Sequence, residues 1–75
     1  MGKYKHLSGE RIVKTLERIG FVQARQRGSH VVMKKILPEG AIGCVVPMHR
    51  EVAVGTLHAL LRQAKISLDE FELNM

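Results

Sequence analysis

"FVQARQRGSHVVMK", residues 21–34, is two mixed polar and apolar runs hinged on Gly28-Ser29. A Gly-first pair between such runs favours a two-residue type II′ turn. Glycine takes the positive φ the turn needs, and the turn's twist matches that of its strands. The spacing predicts antiparallel strands over 21–27 and 30–35. Arg27 then sits opposite His30. Pairing runs outward through Gln26 with Val31, Arg25 with Val32, Ala24 with Met33 and Gln23 with Lys34. Paired residues share a face and successive residues alternate. One face should carry Val22, Ala24, Val31 and Met33, with Gln26 near the turn, and is apolar enough to lie under helices. The other should carry Gln23, Arg25, Arg27, His30, Val32 and Lys34 toward solvent. A slip of one residue would mix the two sets.

The flanking segments supply the covering layer. Ser8 is placed to N-cap a helix, and Leu7 with Ile12 occupies the two positions of a hydrophobic staple. Ile12, Val13, Leu16 and Ile19 form a stripe at helical spacing. Gly20 and Phe21 fit a Schellman ending in which Phe21 touches Leu16, giving a helix over 8–19. Downstream, "ILPEGA" at 36–41 reads as a loop and "IGCVVPM" at 42–48 as a third strand. Pro47 cannot donate to a ladder, so it belongs at that strand's end or on an edge. Residues 49–55 read as a connector, and 56–65 as a second helix with Leu57, Leu60, Leu61 and Ala64 on one face. Ser67 and Glu70 form a capping box for a last short turn, with Ile66 and Phe71 as its staple. The expectation is an α+β fold in α-β-β-β-α order. It is a two-layer sandwich with helices on one face of a three-stranded antiparallel sheet, and residues 1–75 form a single domain.

Charge narrows the function. The net charge is +5, with +7 on residues 1–50 and −2 on residues 51–75. A basic front half suits a polyanion. Cys44 is the sole cysteine, so no internal disulfide and no cysteine zinc site can form, which fits a reducing cytoplasm. The start "MGKYKHLSGE" has no apolar signal-peptide core, and the apolar run from Ala41 to Met48 is too short to span a bilayer.

His30 is the residue with chemical promise. The register places it on the open face beside Arg27, near Arg25 and Lys34. Arg and Lys hold phosphate and offset developing charge. Histidine, with a reference pKa of about 6.5, exchanges protons near neutrality. RNA carries its own nucleophile, the 2′-OH. Cleavage then needs a base, an acid and charge stabilisation, with no metal or cofactor. Arg25, Arg27, Ser29 and Lys34 are the expected RNA-binding residues. His49, where the third strand ends, is a second acid/base candidate or a phosphate contact. His58 is expected on the exposed side of the second helix, and His6 carries no signal. Four scattered histidines without carboxylates at ligand spacing make a poor metal site. Cys44 reads as a small core residue, and with the one aspartate, Asp69, in the tail, no Ser-His-Asp arrangement is readable. A solvated basic strand face, a non-catalytic RNA-binding module and a protein-interaction domain all fit the same composition.

"GSHVVM" at 28–33, "VVPMH" at 45–49, "GTLHALLRQA" at 55–64 and "SLDEF" at 67–71 together resemble the HicA-type (YcfA-like) toxin family over nearly the whole chain. The resemblance implies a fold like the double-stranded RNA-binding domain. It also implies a small cytoplasmic mRNA-cleaving ribonuclease, held inactive by a HicB-type antitoxin. The family's catalytic histidine matches His30, and His49 matches a recurrent family histidine. Three departures stand out. "KKILPEGAIG" looks longer than the family's short turn, Val54 stands where Pro often does, and Lys65 stands where Gly often ends the helix.

Overall fold

The computed structural model describes residues 6–75. The chain runs α1 (Gly9–Ile19), β1 (Val22–Arg27), β2 (His30–Leu37), β3 (Gly40–Pro47), α2 (Val54–Ala64) and α3 (Leu68–Leu73). The expected α+β order and the antiparallel sheet are present, with strands in the order β1-β2-β3. The last turn is a helix in its own right.

The expected caps are in place. The Ser8 hydroxyl oxygen accepts from the Arg11 N–H at 3.1 Å, and the Ser67 oxygen from the Glu70 N–H at 3.0 Å. Gly20 and Phe21 donate to the carbonyls of Glu17 and Leu16, which completes the Schellman pattern at the end of α1. Lys65 and Ile66 repeat it on Arg62 and Leu61 at the end of α2. There the left-handed position, at φ 57°, is held by a lysine. A side chain in that conformation costs about 1 kcal/mol. The α2 helix begins at Val54, two residues before the expected start. Ala53, its N-cap, offers no side-chain oxygen, so no capping signal marks that end.

The core lies between the helices and the inner face of β2 and β3. Val31, Met33, Cys44 and Val46 pack there against Ile12 and Leu16 of α1, Leu57 and Leu60 of α2, and Phe71 of α3. Each such apolar side chain contributes about 1.5–3 kcal/mol on burial. Burial also pushes the Cys44 thiol up to about 11, so it stays protonated and unreactive near neutrality.

Strand β1 departs from the expected register. Arg27↔His30, Gln26↔Val31 and Arg25↔Val32 pair as read. A bulge then falls between Gln23 and Arg25, after which Gln23 pairs with Met33 and Val22 with Lys34. Gln23 therefore turns to the helix side, where its amide donates to Glu17 Oε2 at 3.3 Å. Val22 moves to the open face and is 60% exposed, and Ala24, the extra residue, is exposed as well. The cause is a conflict of parity. Phe21 must be buried to complete the Schellman contact, and it is. Counting by twos from Phe21 reaches Gln23 and Arg25, whereas the Gly28-Ser29 turn requires Gln26 inward. One extra residue reconciles the two demands. All six residues of β1 remain exposed, because the sheet's buried side chains come from β2 and β3.

The segment read as a loop at 36–41 is strand. Leu37 pairs with Gly40 across a turn made by Pro38 and Glu39, so β2 and β3 continue as a two-stranded ribbon. The apparent extra length is ladder. Pro47 closes β3 on an edge, as its missing N–H requires.

Replacing Lys65 by Gly relieves the left-handed strain. Lys65→Gly is expected to raise stability by up to about 1 kcal/mol, read as a higher midpoint in urea denaturation with an unchanged m-value.

Candidate functional site

The Gly28-Ser29 turn builds the site's first half. Gly28 has φ 55° and Ser29 is not in the positive region, which is the type II′ pattern. The turn sets Arg27 against His30 at the mouth of the hairpin, with Arg25 one step along the same face. Lys34 lies further down β2 on that face, and all four side chains are exposed. Strand alternation separates Lys34 from its neighbour. Lys35 points to the helix side, where its ammonium donates to the Ile19 carbonyl at 3.0 Å, beside the Phe21 ring. It caps α1 and is not part of the cationic face.

Two further front-half cations are also occupied. Arg18 Nη1 donates to the carbonyls of Asn74 and Met75, and Arg11 Nη2 to that of Met75. The open-face set is therefore narrower than the net charge suggests.

The second half of the site comes from the chain leaving β3. Pro47 pairs with His30. The Met48 N–H donates to the Ser29 carbonyl at 2.6 Å, which ties the exit of β3 to the β1–β2 turn. The His49 carbonyl then accepts from the Gly9 N–H at 2.9 Å, which anchors the next residue to the start of α1. Between those two bonds the His49 side chain projects to solvent beside His30. The ring centroids are 6.4 Å apart and the planes meet at 69°.

Gly9 makes this seat possible. A Cβ there would land on the Pro47 carbonyl oxygen and come within 2.7 Å of Met48 Cα. The helix approaches the strand exit only because no side chain intervenes.

Other expected positions resolve differently. His58 is half-buried instead of solvated, and its Nε2 is enclosed with no hydrogen-bond partner among the described residues. It lines a shallow groove with Leu61, Arg62, Ile66 and Leu68, away from His30. His6 pairs with Glu51 at 3.3 Å. Among the described residues, no cluster of His, Cys, Asp and Glu has metal-binding size, and no helix is long and apolar enough to cross a membrane.

Residues 9–66 match the family model described as the HicA toxin of bacterial toxin-antitoxin systems, which is more than half of the chain. The chain belongs to the HicA toxin family. Membership supports a toxin role and brings with it an antitoxin partner. No significant match to a curated protein accompanies it. The matched stretch contains the whole sheet, the Gly28-Ser29-His30 turn and His49.

Gly9→Ala is expected to cost about 1–3 kcal/mol, since the Cβ overpacks against backbone that has no room to yield. It should also move the strand exit. Imidazole NMR signals of His49 should shift more than those of His58, measured on the same sample.

Proposed function

We propose that this HicA-family toxin is an endoribonuclease that cleaves mRNA without a metal, with His30 as a general acid/base. The observation that carries the reading is the juxtaposition at the hairpin mouth. An exposed imidazole lies directly across from Arg27, with Arg25 and Lys34 on the same uncovered face. Arg25, Arg27, Ser29 and Lys34 hold the RNA backbone. The guanidinium groups suit this task because they bind phosphate oxygens in bidentate fashion and stay charged throughout. His30 exchanges protons with the reacting oxygens. The cations offset the charge that builds on the phosphorane oxygens. The substrate brings its own nucleophile.

The antitoxin partner is of the HicB type, and the toxin acts in the cytoplasm. The open face supports a protein partner as well as RNA. Val22, Ile36 and Val45, at 60%, 75% and 43% exposure, lie among the cations on that side of the sheet. An acidic protein with apolar contacts would cover both kinds of side chain and block His30.

His30→Ala is expected to lower RNA cleavage by about 10²–10⁴-fold or more while leaving the fold intact, since the side chain is exposed. The measurement is cleavage of labelled RNA with EDTA present, using toxin purified free of its partner. RNA affinity should persist in the variant and fall steeply with salt, as counterion release requires. Wild-type cleavage rates in the His30→Ala protein would remove the assignment. Salt-sensitive binding without cleavage by the wild type would leave an RNA-binding module.

A further inference from the structure

The geometry points to His49 as a second catalytic residue: the general acid that protonates the leaving 5′-oxygen while His30 acts as base toward the 2′-OH. This inference rests on the nuclease reading above and divides its proton transfers between two rings.

The placement is specific. Each ring sits on a backbone fixed by hydrogen bonds. His30 is the first residue of β2, paired with both Arg27 and Pro47. His49 follows Met48, whose N–H is bound to Ser29, and its own carbonyl is bound to Gly9. Both rings are exposed, and neither hydrogen-bonds to another described residue. Both are therefore free to engage a ligand. At 6.4 Å between centroids the rings are too far apart for close stacking. A phosphodiester seated over the exposed pair, on the solvent side, can present its 2′-oxygen to one ring and its 5′-oxygen to the other. Arg25, Arg27 and Lys34 on the sheet face and Arg50 beside His49 are cations suited to the phosphate, and the nearby carboxylate of Glu51, two residues past His49, is paired with His6.

The step balances. His30 takes the 2′-OH proton as the 2′-oxygen forms its bond to phosphorus. The bond from phosphorus to the 5′-oxygen breaks, and that oxygen takes the proton carried by His49. The products are a 2′,3′-cyclic phosphate and a free 5′-hydroxyl. His30 ends protonated and His49 neutral, and exchange with water resets both.

Leaving-group dependence separates the two roles. Wild type, His49→Ala and His30→Ala are compared on an RNA oligonucleotide and on uridine 3′-(4-nitrophenyl phosphate), whose phenolate departs without protonation. His49→Ala should lose about 10²–10⁴-fold in kcat on RNA. On the nitrophenyl ester it should approach the wild-type rate, while His30→Ala stays inactive on both. The ratio of the two rates within one preparation cancels any loss of folded protein, and alanine keeps the carbonyl that binds Gly9. Equal losses on the two substrates, or wild-type cleavage of RNA by His49→Ala, would overturn the assignment and leave the nuclease reading standing. A wild-type protein inactive on both substrates would remove the nuclease reading and this one with it.

Discussion

A central strand pinned by a two-residue turn at each end decides where every side chain of interest points. The Gly28-Ser29 turn sets β2 against β1, and the Pro38-Glu39 turn sets it against β3. Side-chain direction in a strand has a period of two, so each turn also chooses a face. Val31 and Met33 go to the core, and His30 and Lys34 go to the open side. Only His49, in the loop past β3, is held by other means, through the bonds of Met48 to Ser29 and of its own carbonyl to Gly9. The one long-range demand is that α1 meet the exit of β3, which Gly9 permits by lacking a side chain.

The first hairpin and first helix were legible because their signals are local. Ser8, Gly20 and Gly28 each carry a conformational preference that few neighbours can override, and each stands where the sequence placed it. The bulge at Ala24 required two such signals to be compared. Phe21 and Gln26 are both inward by local logic, yet they differ in parity, and a regular strand cannot satisfy both. The information was present, but in a count and not in any residue type.

The seat of His49 was hidden for a related reason. Pro38-Glu39 lacks the Gly or Asn that marks a tight hairpin turn, so the segment read as a loop and β3 had no register. Once Leu37 is opposite Gly40, Pro47 must be opposite His30, and His49 lies two residues beyond. His58 was misread because helical periodicity locates a stripe but not what covers its edge. The turn after α2 encloses that ring. The charge count overstated the polyanion face, since Lys35, Arg18 and Arg11 spend their donors on carbonyls of the fold itself.

The interruption at Ala24 also bears on how such a chain survives in crowded solution. An outer strand offers its free backbone groups as a template on which a neighbouring molecule can lay down a strand of its own. The extra residue throws those groups out of step midway along the rim, and two arginines, Arg25 and Arg27, follow the break. A second molecule approaching that margin meets mismatched partners and like charge, so runaway stacking is denied there by the same irregularity that buries Phe21.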